Sequence, residues 1–199
     1  MRSNVNVIVI DDFYKDPDAV REFALKQDFG VDGNYPGHRT KSFLNDSLKK
    51  SIEDILSPHA GKVTYWGGHG NGDNYTGAFQ YTTAFDRSWI HSDGTTKWAG
   101  VCYLTPDAPI TAGTGLFRHK ETGLRGWNYG AHTEEESKAC KANTETQDYT
   151  KWEMTDMVGN VYNRLVLYRG DMYHCSLDYF GTDLHNARLF QTFFIDTEK

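Results

Sequence analysis

The sequence predicts a mainly β protein, a double-stranded β-helix of the jelly-roll kind, with helices near its N-terminus buttressing the sheets. Two amphipathic helical segments come first, and short apolar stretches separated by turn residues follow from Lys62 onward. The composition agrees: hydrophobic residues make up only 38% of the 199, yet 5 Trp, 12 Tyr and 11 Phe supply large packing surfaces and 19 Gly supply turns.

Val5 to Ile10 is a β-branched run closed by Asp11-Asp12, the pattern of a buried strand and a turn. Asp16-Pro17 opens a helix to about Lys26, with Asp16 as cap, Pro17 at the first helical position, and Val20, Phe23 and Ala24 on one face. Gly30 to Thr40, rich in Gly, Pro, Asn and His, reads as loop. Within it Tyr35-Pro36-Gly37-His38-Arg39 reads as a surface turn, the alternative being an approach to the mouth of a site. A second helix fits Asp46 to Leu56, with Leu48, Ile52, Ile55 and Leu56 as its apolar stripe and Pro58 as its stop. Eight strands are expected after it: Val63 to Trp66, Ala78 to Thr83, Trp89 to His91, Trp98 to Leu104, Gly115 to Arg118, Arg164 to Tyr168, Tyr173 to Leu177 and Arg188 to Ile195.

Between Lys120 and Asn160 lies a polar segment too long for an ordinary connection, which reads as a lid or as disorder. Its Trp127, Tyr129 and Trp152 are large apolar groups suited to closing over a substrate, and a peripheral insertion is the alternative. The whole is expected to be a single domain, 1–199. Residues 1–61 would supply a strand and a helical buttress, and 62–199 a jelly-roll core with 120–160 inserted.

A net charge of −6 and a pI near 5.7 argue against nucleic acid as a partner, since that footprint is a basic patch. Cys102, Cys140 and Cys175 form an odd set with no C-x-x-C pairing, which suits a reducing interior. The first apolar stretch is too short for a signal segment or a membrane span. A soluble, cytoplasmic protein is the expectation.

The residues that carry chemistry begin with His91-Ser92-Asp93, an imidazole and a carboxylate two positions apart, which a strand or its frayed end turns to one side. His174, after the Arg169-Gly170-Asp171 turn, offers a third ligand. Two imidazoles and one carboxylate on one face of an octahedron leave positions open, the arrangement of non-haem Fe(II). Arg188 opens the last apolar strand and shares a face with Phe190, Thr192 and Phe194. A cation there needs a partner, and a bound dicarboxylate would supply one through parallel hydrogen bonds. Taken singly, each feature has a plainer reading: an Asx turn at Asp93, a hydrogen-bonded core histidine at His174, an ion pair from Arg188 to Asp171 or Asp178. Their joint occurrence in this order is what favours a site. The remaining histidines, His69 in a Gly-rich run among them, lack such partners, and Cys175 should face away from the metal.

These residues resemble the 2-oxoglutarate and Fe(II)-dependent oxygenase superfamily over Ala78 to Ile195, and the look is most similar to small prolyl-hydroxylase-like members and to bacterial and phage-type relatives. The resemblance implies that His91, Asp93 and His174 are iron ligands and that Arg188 anchors 2-oxoglutarate. It further implies that Tyr103 assists Arg188 and that Tyr81 lines the cosubstrate pocket. Fe(II), 2-oxoglutarate and O₂ would then serve to hydroxylate a peptidyl residue or a small molecule. The sequence departs from the prolyl-hydroxylase pattern in having Arg rather than Lys as anchor and in the long segment before Asn163, which leaves the substrate open. A carboxylate at Asp93 favours hydroxylation over halogenation, because related halogenases carry a small residue there. The alternative is a cupin-like metal- or ligand-binding module without turnover, which has no need of a buried guanidinium beside the metal.

Overall fold

The computed structural model of the chain describes residues 5–67, 75–94, 96–127, 133–144 and 146–199. Strand β1 (Val7–Ile10) leads into helix α1 (Pro17–Leu25), where the Asp16 side chain accepts the Ala19 N–H at 3.0 Å and Pro17 occupies the first turn. Strand β2 (His38–Ser42) occupies the end of a stretch expected to be loop. The Pro and Gly residues there describe only the turn before it, whereas Arg39 and Thr40 are buried.

Helix α2 (Asp46–Ala60) is capped by Asn45, whose side chain accepts the Leu48 N–H at 2.9 Å. It runs through Pro58 rather than stopping short of it. The missing N–H costs one bond in the last turn, Ala60 is fully buried, and Gly61 at φ 77° then ends the helix. The remaining elements are β3 (Val63–Trp66), β4 (Ala78–Thr82), β5 (Trp98–Tyr103), β6 (Thr114–His119), α3 (Glu134–Asn143), β7 (Trp152–Val158), β8 (Leu165–Arg169), β9 (His174–Ser176) and β10 (Arg188–Thr197). Trp89 to His91, expected as a strand, is held by a single bridge, His91 to His174.

The strands form two antiparallel sheets. One has the order β1-β8-β5-β10-β4-β2 with β3 on the far end of β10; the other has the order β7-β6-β9. Period-2 alternation divides the side chains among the layers. On β10, Leu189, Phe193 and Ile195 pack against Ile52 and Leu56 of α2, while Phe190 turns the other way to meet Val101, Leu116 and Tyr168 between the sheets. A third cluster on the outer side of the small sheet joins Phe117, Cys175 and Trp152 to Cys140 of α3. The sheets therefore face each other with helical elements outside both. No described helix is long and apolar enough to cross a membrane.

The segment expected to be a lid or disordered is largely built into this framework. Glu134, Glu135 and Glu136 form the first turn of α3, where Thr133 and Glu136 make a capping box, so their charges favour the helix start. Trp152 is 4% exposed, sits edge-on to Tyr173 at 4.8 Å, and is thus a core side chain, not a closing flap. Tyr129 lies outside the described residues, as does His69.

Ile52 is fully buried at the centre of the helix–sheet contact. Replacing it by Ala should cost about 2–5 kcal/mol through lost burial and a residual cavity. Denaturant unfolding should show a lower midpoint at an unchanged slope; an unmoved midpoint would mean that α2 does not support the sheet.

Candidate metal centre

His174 begins β9, and the main chains of His174 and His91 exchange N–H to carbonyl bonds of 2.8 and 3.0 Å. This closely bonded pair brings the two rings to 4.5 Å between centroids. Asp93 is placed by the turn after β8: its N–H donates to the Gly170 carbonyl at 2.7 Å, and Gly170 N–H donates to Lys97 at 2.9 Å. The carboxylate then lies 3.2 Å from His174 Nε2 and 3.6 Å from His91 Nε2, and the three side chains offer ligand atoms all within 4.8 Å of one another.

The ring nitrogens away from this centre fix the tautomers. His91 Nδ1 lies 3.0 Å from the Trp89 carbonyl and His174 Nδ1 2.8 Å from the Met172 carbonyl. A carbonyl only accepts, so each Nδ1 carries a proton and Nε2 is the ring atom turned toward Asp93. Such outer bonds orient metal-binding histidines. Burial alone would raise the Asp93 carboxyl, but without a metal the charge and Nε2–H bonds of the rings in their protonated form, His174 first, hold it well below the usual carboxylate range. Two imidazoles, once unprotonated at Nε2, and a carboxylate are a donor set that suits a first-row divalent metal.

Gly170 permits this approach. A Cβ there would meet the Thr96 carbonyl oxygen at 2.4 Å, backbone that has no side-chain freedom to yield. Gly170→Ala should therefore displace the Asp93 loop and weaken divalent-metal binding by an order of magnitude or more, comparable with losing an orienting bond at about 10- to 100-fold. Calorimetric titration with Mn(II) checks this, and unchanged affinity would show that the turn does not set the carboxylate.

The three residues line a cavity of about 340 Å³ between the sheets, shared with Thr114, Tyr168 and Phe190. Tyr168 stands 4.6 Å from the His174 ring. Arg188, fully buried, sits behind the wall formed by Thr114 and Phe190. Its Nε donates to the Ala112 carbonyl at 2.9 Å, its Nη2 to the Gly113 carbonyl at 3.3 Å, and its carbon centre lies 4.4 Å from the Phe190 ring. Nη1 has no hydrogen-bond partner, and Arg188 makes no ion pair with an acid among the described residues; Asp171 lies against Arg169 instead, at 3.6 Å. A buried cation bonded to two carbonyls, with no acid beside it among the described residues, fits an incoming carboxylate. Tyr103, fully buried, is beside it, 5.3 Å from ring to guanidinium, with its hydroxyl 2.7 Å from Thr114 Oγ1.

Of the six residues singled out from sequence, five converge on this region and Tyr81 does not. It pairs with Leu189, on the helix-facing side of the sheet, and packs against Phe29 and His38. Alternation puts Gln80 into the cavity in its place. Sequence reasoning also passed over Arg39, Tyr75, Tyr168 and Thr114. Tyr35, Pro36 and Arg39 line the cavity, so the surface-turn reading of that loop gives way to an approach to the site. The available signal was an arginine two residues after a Pro-Gly turn, in a strand whose alternation was too short to read.

The fold is that of the jelly-roll 2-oxoglutarate oxygenases. HygX from Streptomyces hygroscopicus, solved with nickel and 2-oxoglutarate bound, matches it with a TM-score of 0.59 at 10% identity, covering 97% of this chain and 83% of that chain. A prolyl hydroxylase from Trichoplax adhaerens, in complex with a hypoxia-inducible-factor peptide fragment, matches with a TM-score of 0.53 at 11% identity, covering 98% and 85% respectively. Over residues 1–194 the chain matches the model of DUF6445, a family of unknown function, and it belongs to that family. A search of curated protein sequences returns no match.

Proposed function

We propose that this protein is a 2-oxoglutarate- and Fe(II)-dependent oxygenase, converting a substrate C–H bond, 2-oxoglutarate and O₂ into C–OH, succinate and CO₂. The observation that carries the reading is one juxtaposition: the His91, Asp93 and His174 ligand atoms within 4.8 Å of one another, in a cavity whose far wall hides Arg188 without an anionic partner. HygX is solved with nickel or iron in its structures, and with 2-oxoglutarate, on the same fold.

His91, Asp93 and His174 would hold Fe(II), which when bound supplies the activation of O₂ coupled to decarboxylation. The chain's own contribution is binding, orientation and shielding. The Nδ1–carbonyl bonds keep both imidazoles ready as ligands, so they need no reorganisation when metal arrives. Arg188 and Tyr103 would bind the far carboxylate of 2-oxoglutarate, and the dry contact with Phe190 strengthens that pair by excluding water. Trp89, Tyr168 and Phe190 wall off the reacting centre.

Anaerobic addition of Fe(II) and then 2-oxoglutarate to the full chain tests the reading. The expected result is the visible absorption of an Fe(II)–2-oxo acid chelate, appearing only with both present. Metal binding without any 2-oxoglutarate binding would overturn it in favour of a metal-binding module without turnover.

A further inference from the structure

Besides Arg188 behind its wall, the cavity is lined by a buried arginine that the oxygenase chemistry leaves unused. Arg39 on β2 is 5% exposed. Its guanidinium sits in the corner of two rings set 87° to each other, 3.7 Å from the Tyr35 centroid and 4.5 Å from the Tyr75 centroid. Nε donates to Gln80 Oε1 at 2.9 Å and Nη2 donates to the same oxygen, while Gln80 holds its own position by donating Nε2 to the Pro36 carbonyl at 2.6 Å. Nη1 makes no hydrogen bond among the described residues, and Arg39 makes no ion pair there. Burial lowers its pKa to about 10, which still leaves it charged at neutral pH.

Charge accounting shows why this matters. A divalent metal, the Asp93 carboxylate, the two negative charges of 2-oxoglutarate and the Arg188 cation sum to neutrality. The Asp93 charge, which also reaches Arg39, is taken up by the metal in this sum, so among the described lining residues Arg39 is left without a counterpart of its own. The register keeps it apart from the cosubstrate end, because Arg39 pairs with Gln80 and Gln80 with Phe190. That sets Arg39 two strand spacings, about 10 Å, from β10, which carries Arg188. One carboxylate does not neutralise both arginines.

We propose that Arg39, seated in the corner of Tyr35 and Tyr75 and braced by Gln80, binds the carboxylate of the primary substrate, which is a small free carboxylic acid. The inference rests on the oxygenase reading and names its substrate class. With one edge of the guanidinium held by Gln80, the edge bearing Nη1 remains for a planar carboxylate. The cavity, at about 340 Å³, is near the small end of ligand pockets of roughly 300–1,000 Å³ and must also admit 2-oxoglutarate, so the part of the substrate that enters is compact.

The test uses the full chain loaded with Mn(II) and 2-oxoglutarate, titrated calorimetrically with a panel of small monocarboxylic acids, the free L-amino acids among them, and with their methyl esters. At least one acid should bind tenfold or more tighter than its ester. Gln80→Glu supplies the missing anion in place and keeps the side-chain length. It should lose that acid by at least tenfold while Mn(II) and 2-oxoglutarate binding stay as in the parent; Arg39→Gln should do the same, with thermal unfolding verifying that both variants fold. Inorganic phosphate is included, and its displacing the acid at equal concentration would shift the class from carboxylate to phosphate and overturn the proposal. Acids that bind no tighter than their esters, or a Gln80→Glu variant with undiminished acid binding, would also overturn it. Failure of the parent chain to bind 2-oxoglutarate at all is a different result, because it removes the oxygenase reading itself.

Discussion

Replacing His174 by Ala should abolish the metal binding proposed for the triad. After anaerobic loading with Fe(II) and desalting, the parent chain should retain about one equivalent and the variant only background. Loss of an orienting partner alone costs metal sites about 10- to 100-fold, and removing one of three protein ligands should exceed that range. Cys175→Ala is the matched control. Its side chain is the next along β9 but turns outward to the cluster with Phe117 and Trp152, so the variant should keep its iron. Equal iron content in the His174 variant and the parent would remove the assignment of the triad.

Arg188→Ala should leave iron content unchanged and weaken 2-oxoglutarate by about thirty-fold or more. Truncating one partner of a buried, hydrogen-bonded charge pair costs roughly 2–5 kcal/mol, and 2 kcal/mol already corresponds to about thirty-fold. The loss has a second readout. A saturating ligand raises stability in proportion to the logarithm of its excess over Kd, so 2-oxoglutarate should raise the unfolding temperature of the iron-loaded parent and scarcely move that of the variant. Arg188→Lys should recover part of the affinity, since a point charge replaces the lost cation without the two-pronged geometry. A dissociation constant unaltered by Arg188→Ala would show that the orphaned guanidinium has a purely structural role.

Much of this architecture was legible because its signals are local. The Asp16-Pro17 start of α1, the stripe of Leu48, Ile52 and Leu56 on α2, and the alternation of Arg188, Phe190, Thr192 and Phe194 each occupy one short stretch. The spacing of His91 and Asp93 pointed to a common side, although the device that achieves it is a bridge to His174 and a turn clamped by Gly170, not a continuous strand. Tyr81 was misplaced because its neighbour Gln80 faces the cavity, and a one-residue offset exchanges the two faces of a strand. Arg39 was undervalued for a different reason: its burial depends on Tyr75 and Gln80, contacts distant along the chain that no local pattern announces. Trp152 looked like a loop aromatic because the strand that carries it is otherwise exposed along most of its length.

Strand β10 has a consequence for how the protein acquires its fold. It is bonded to β5 through Phe190 to Ile195 on one side and to β4 and β3 on the other, so three strands made earlier in the chain have no common neighbour until it arrives. Each of those pairings closes a long stretch of chain, the kind of contact that slows folding. During synthesis the apolar flanks of β4 and β5 must wait, unpaired along these edges, which is an interval of exposure to aggregation. The strand that carries Arg188 is therefore also the keystone of assembly, and ribosome-bound chains halted before Arg188 should resist protease far less than chains tethered through an added C-terminal linker long enough to bring Thr197 out of the exit tunnel.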